Sequence, residues 1–140
     1  MRLVLDTNVV VSAVIWGGNP LELLQAATAG EIELYTSPAL LVDLRNVLGR
    51  GHLASRLAEQ RSSVEQAIGH YSELAVSVSP RSTPRAVPRD ADDDQVIAAA
   101  LAASADLVVS GDKHLLSMGS YQGIAIVSVA EAVRRIRVSP

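Results

Sequence analysis

Short apolar runs alternate with helical stretches along this chain, and two of those runs end in an acidic motif. Leu3 to Leu5 reads as a buried strand that stops at Asp6. Ile32 to Tyr35 is a second strand, Val76 and Val78 mark a short third, and Leu107 to Val109 runs into Ser110-Gly111-Asp112. Ile124 to Val127 is the last strand of the series. Helical signals fill the gaps. Val9 to Ile15 continues in a helical or turn-like way as far as Gly17, Gly18 and Pro20, and Leu21 to Ala29 is a helix stopped by Gly30. Ser37-Pro38 supplies an N-cap and then a proline at the first helical position. The helix it starts carries Leu40, Leu41, Leu44, Val47 and Leu48 on one stripe. Leu53 to Leu74 is a helical hairpin or a broken helix, and Ser79 to Arg89 is a proline-rich loop. Val96 to Ala105 is an alanine-rich helix, His114 to Met118 a short one, and Val129 to Ile136 a closing helix capped by Ser128.

Strands alternating with helices imply right-handed crossovers and a parallel sheet covered on both faces. The expected architecture is α/β: a three-layer α/β/α sandwich around a central, mainly parallel sheet of four or five strands. Residues 1–140 fit one domain. Ligands of such sheets lie outside the carboxyl ends of the strands. That rule makes neighbours of Asp6 and Asp112, which are far apart in the chain.

Composition narrows the chemistry. With no cysteine, thiolate nucleophiles, disulfides and Cys-based zinc sites are excluded. A net charge of −3 argues against a nucleic-acid binder with a broad basic face. Bound cations, however, let an acidic protein hold a polyanion by inverting the local charge. The chain opens on a strand-like run, shows no signal-peptide pattern and has no apolar stretch long enough to span a bilayer, so a cytoplasmic location without membrane association is expected.

Carboxylates cluster at four places that this topology can bring together: Asp6, Asp43, the run Asp90-Ala91-Asp92-Asp93-Asp94, and Asp112. Each has an ordinary explanation. Asp6 suits an Asx turn or a helix N-cap. Asp43 suits a solvated helix position paired with Arg45 or Arg50, although the leucine stripe puts it at the edge of the buried face. The acidic run favours a helix N-terminus, and Asp112 is a natural N-cap for the helix at His114. Four acids in five residues nevertheless repel one another, and a cation relieves that repulsion. Asp93 and Asp94 can enter the first helical turn and face the sheet, whereas Asp90 and Asp92 suit a solvated loop. Ser110 is placed to hydrogen-bond a carboxylate and hold its orientation. Oxygen ligands without cysteine, and histidine only at His52, His70 and His114, point to Mg²⁺ or Mn²⁺. Such a site suits phosphodiester hydrolysis.

The segments LVLDTNVVVSAV (Leu3 to Val14), TSPALLVDLRNVL (Thr36 to Leu48), DADDDQVIAAALAASADLVVSGDKHLL (Asp90 to Leu116) and IAIVSVAEAV (Ile124 to Val133) resemble the PIN-domain family, including the toxin nucleases of bacterial toxin–antitoxin pairs. The resemblance covers nearly the whole chain in family order. It implies a compact α/β/α fold, a metal held by three or four acids, and single-stranded RNA as substrate. By position, Asp6, Asp43, Asp93 and Asp112 correspond to the catalytic and metal-binding acids, with Asp94 the alternative to Asp93. Asp43 stands where the family usually carries Glu, so its carboxylate is shorter. Asn8 and Ser110 match polar supporting positions. The resemblance also implies homodimerisation and a small antitoxin protein that blocks the site. Arg45, Arg50 and Lys113 flank the acidic motifs as candidate phosphate contacts, with Arg81, Arg85 and Arg89 on the proline-rich loop. Trp16 is a candidate for base stacking or for packing against a partner.

Two other readings compete with this one. Aspartyl-phosphate chemistry of the dehalogenase-phosphatase kind needs a second Asp two residues after the nucleophile, where Asn8 stands; receiver domains need a Lys after the last strand, where Ser128 stands. The same scaffold without catalysis, serving as an RNA- or protein-binding module, is the remaining alternative.

Overall fold

A computed structural model of the chain describes residues 1–84 and 91–138. In chain order the elements are β1 (Arg2–Leu5), α1 (Thr7–Ile15), α2 (Gly18–Thr28), β2 (Glu33–Thr36), α3 (Pro38–Leu48), α4 (Gly51–Glu59), α5 (Val64–Leu74) and β3 (Val76–Ser77). They continue with α6 (Ala91–Ala103), β4 (Leu107–Val109), α7 (Lys113–Met118), β5 (Ser120–Tyr121), β6 (Ile124–Val127) and α8 (Val129–Val138). The strands form one sheet in the order β3-β2-β1-β4-β6-β5. All neighbours pair in parallel except β5 and β6.

Alternation along each strand splits the core in two. Leu3 and Leu5 of β1, Leu34 of β2 and Leu107 and Val109 of β4 face a layer built from α1, α2, α4, α5 and α8 and most of the apolar stripe of α3. Val4, Tyr35 and Val108 face the opposite side, where Val96, Ile97, Ala99, Ala100 and Ala103 of α6 and Leu115 of α7 cover them. The result is the α/β/α sandwich expected from the alternating pattern. The chain steps from β1 outward to β2 and β3, then returns to β4 on the other side of β1. The switch point of the topology therefore lies between β1 and β4, at the carboxyl edge where a ligand crevice forms.

The structure corrects several details. The sheet has six strands among the described residues, where four or five were expected. The extra strand, β5, folds onto β6 through a two-residue turn in which Gln122 (φ 47°) and Gly123 (φ 84°) are both left-handed, the backbone of a type I′ hairpin. Gln in place of Asn hides this turn from a sequence reading. The stretch 53–74 resolves into α4 and α5, separated by a break in which Arg61 adopts φ 59° and Ser62 N–H bonds Leu57 O. Helix α6 begins at Ala91, inside the acidic run, so Asp92 lies in the helix and not in a loop. Asp90, Arg85 and Arg89 lie outside the described residues. Among the described residues no single helix is long and apolar enough to cross a membrane.

Candidate active site

Helices that follow parallel strands run back against them, so their N-termini gather at the carboxyl edge of the sheet. Three helix starts, those of α1, α6 and α7, carry acidic motifs there, and Asp43 lies further along α3, in its second turn. Asp6 directly follows β1 and precedes α1. Its amide donates to Val109 O of β4 at 2.9 Å, which continues the β1–β4 ladder by one residue and sets Asp6 beside Ser110. The Asp6 carboxyl is 8% exposed and makes no capping bond across the first turn of α1. It accepts instead from the Ser110 hydroxyl, Oγ to Oδ2, at 2.7 Å.

Ser110 is fully buried and serves both sides of the switch point. While its hydroxyl donates to Asp6, its oxygen accepts the Asp112 N–H at 2.9 Å. One hydroxyl thus fixes the Asp6 carboxylate and the backbone that presents Asp112. Asp112 in turn caps α7, its Oδ1 accepting the amides of His114 at 2.7 Å and Leu115 at 3.3 Å. The ordinary role foreseen for Asp112 is therefore real, and it leaves Oδ2 outside both cap bonds.

Asp93 and Asp94 stand in the first turn of α6 and are 4% and 7% exposed. Asp93, Asp112 and His114 each bring a ligand atom to within 4.8 Å of the other two. Asp94 is not in that group. Asp43 is half-buried on α3, whose start is fixed by the Ser37 hydroxyl accepting Leu40 N–H. Burial raises the Asp6 carboxyl above the ordinary aspartate range. Hydrogen bonds from Ser110 and the Thr7 amide pull it back, while the charges of Asp112 and Asp43 push it further up. The charges of Asp43 and Asp112 thus reach Asp6 through space although the three residues derive from different elements.

The residues present fit a divalent cation. Buried carboxylates crowded at one edge are costly as bare anions, and hard oxygen donors are what Mg²⁺ or Mn²⁺ accepts. His114 was counted as a histidine in the sequence reading but not as a site residue. Its position two residues after Asp112, at the first turn of α7, was the available signal.

The other candidates sit less centrally. Asn8 is exposed on α1, and Lys113 is exposed directly beside Asp112. Arg45 is bonded to Glu65 of α5 and not to Asp43. Arg50 follows α3 at its far end, roughly 10 Å along the helix from Asp43 at 1.5 Å per residue, towards the amino edge of the sheet. Trp16, 65% exposed, lies at the C-terminus of α1, and the Arg56 guanidinium covers its ring at 4.6 Å from the centroid. Arg81 is exposed on the loop after β3.

Compared with known families, the chain matches the PIN domain over residues 2–114, a span that takes in each of Asp6, Asp43, Asp93, Asp94 and Asp112. No curated protein and no solved structure matches it.

Proposed function

Because the chain belongs to the PIN-domain family, whose members are generally nucleases that use divalent metals, we propose that it is a Mg²⁺- or Mn²⁺-dependent ribonuclease that hydrolyses phosphodiester bonds of single-stranded RNA. The observation that carries this reading is the junction at Ser110, where one buried hydroxyl ties Asp6 to the backbone of Asp112 at the switch point of the sheet. Asp6, Asp43, Asp93 and Asp112 are the residues that would hold the metal, with Asp94 as the alternative at the start of α6. A bound divalent ion supplies Lewis acidity there, lowering the pKa of water and neutralising charge on the scissile phosphate. The chain's own part is positional. Ser110 holds the Asp6 carboxylate, the α7 cap holds Asp112, and the packing of α6 on the sheet holds Asp93. Lys113, exposed beside Asp112, would take a flanking phosphate.

The family resemblance extends the proposal to a toxin of a toxin–antitoxin pair, acting as a homodimer and silenced by a small cognate protein. A second reading has one feature in its favour. Exposed Trp16 borders an apolar groove of about 460 Å³ between α1, α2, α4 and α5, a surface suited to binding protein. On that reading the domain is an inactive binding module.

The two are separated by incubating purified protein with a mixed single-stranded RNA in Mg²⁺, Mn²⁺ or EDTA, beside Asp6→Ala. Cleavage that needs both the metal and Asp6 is expected. Cleavage unchanged in Asp6→Ala would overturn the site, and no cleavage with any metal would favour the binding module.

A further inference from the structure

The carboxylates proposed above form an all-oxygen set, and such sets are suited to magnesium. His114 breaks that pattern. Its backbone N–H is bonded to Asp112 Oδ1 at 2.7 Å, and its Nδ1 lies 3.8 Å from the same oxygen. That spacing is too long for a hydrogen bond, so the ring is held beside the carboxylate without being consumed by it. A ligand atom of the ring, one of Asp112 and one of Asp93 lie within 4.8 Å of one another. Metal–ligand bonds of about 2.0–2.1 Å place two donors of one ion at most about 4.2 Å apart. The 4.8 Å limit lies a little beyond that span, so small adjustments of the three side chains would let them share one ion. The His114 side chain is 64% exposed, so the ring has solvent around it in which to adjust, and water can serve the other ring nitrogen.

We infer that His114 is a nitrogen ligand to the same ion as Asp93 and Asp112, and that it makes the site prefer a first-row transition ion, with Mn²⁺ as the probe, over Mg²⁺. This rests on the metal-dependent reading above and goes beyond it, since that reading needs only the acids. Magnesium takes oxygen ligands and gives up its waters reluctantly, whereas transition ions accept imidazole readily. The preference therefore sits in one exposed side chain beside Asp93 and Asp112, and removing that side chain changes which ion binds before it changes the fold.

The test uses full-length protein without a polyhistidine tag, titrated with Mn²⁺ and followed by electron paramagnetic resonance, with ¹⁴N electron spin-echo modulation read on the bound ion. Imidazole modulation is expected in the natural protein and is expected to vanish in His114→Ala. Mn²⁺ affinity should fall by at least about tenfold, the loss that even outer partners of metal ligands produce, while Mg²⁺ affinity measured calorimetrically changes far less. His114→Gln, which keeps a polar side chain of similar reach, should likewise lack the nitrogen signal. Bound Mn²⁺ without ¹⁴N modulation, or modulation that survives in His114→Ala, would overturn the role of His114 and leave the acidic site standing. Failure of the natural protein to bind Mn²⁺ any better than Asp112→Asn would overturn the metal site itself, and the inference with it.

Discussion

Asp6 is a buried acid held in place by neighbours that cannot neutralise it. The hydroxyl of Ser110 and the amide of Thr7 donate to its carboxyl, yet burial and the charges of Asp112 and Asp43 outweigh them, and its protonated form is favoured more than in an ordinary aspartate. A raised pKa in the folded state means that the folded chain binds the Asp6 proton more tightly than the unfolded one. Stability from this group is then present below the unfolded value, near 3.8, and is lost as pH rises through the raised folded value. At neutral pH the metal-free protein carries that loss. Asp6→Asn keeps an acceptor for Ser110 and removes the charge, so in the presence of a chelator it should melt at a higher temperature than the natural protein at pH 7. The advantage should shrink as pH is lowered towards 4. Mn²⁺ should raise the melting temperature of the natural protein and leave that of the variant nearly unchanged. Thermal melts across this range check all three, and a variant less stable than the natural protein at pH 7 would contradict the account of Asp6 as a strained anion.

At the scale of elements, the site depends on how closely α6 approaches the sheet. Ala99 and Ala100 are completely buried against the face that carries Val4, Val108 and Ile126. Small side chains there let the helix axis sit near the strands, and the first turn of the same helix presents Asp93 to Asp112 and His114. Ala100 is completely buried, so in Ala100→Leu the leucine must displace its neighbours. Overpacking of this kind costs roughly 1–3 kcal/mol, and lifting α6 should weaken Mn²⁺ binding as well as lower the melting temperature. Ala102→Leu on the same helix serves as the control; a pair of variants with equal losses of metal affinity would show that the approach of α6 does not set the site. The sequence made this helix and its acids plain, because an alanine run behind an acidic cluster is a strong local pattern. It made β1, β2, β4 and β6 plain as well, since each is a short apolar run between helix signals. It did not reveal β5, whose two residues pair only because Gln122 and Gly123 both turn left-handed. Nor did it reveal the bond between Arg45 and Glu65, which joins two helices twenty residues apart. Asp6 and Asp112 could be placed together because a parallel topology dictates it. The sequence points to Ser110 only as a partner for one carboxylate, because its second bond, to the Asp112 amide, depends on the backbone turn after β4.

For the whole molecule, the balance of charge decides how an RNA could be held. The chain carries a net charge of −3, and Asp6, Asp93 and Asp112 stand at the edge where a substrate would lie. Arg45 is engaged by Glu65, and Arg50 sits towards the opposite edge, so Lys113 is the flanking cation closest in sequence to the acidic site. If the RNA is held chiefly through the bound ion, affinity should depend on metal far more than on salt. Each phosphate neutralised by a protein cation contributes roughly −0.7 to the slope of log affinity against log salt for single strands. With Lys113 and at most one arginine in contact, the slope should be no steeper than about −1.4. Fluorescence anisotropy with a phosphorothioate-substituted RNA that resists cleavage can measure this in Mn²⁺ and again after EDTA. Binding should be shallow in its salt dependence with Mn²⁺ and should largely disappear on chelation. A steep slope that persists in EDTA would mean that a basic surface, to which Arg81 on the loop after β3 could contribute, carries the RNA, and the acidic edge would then be a centre that cuts without being the place that binds.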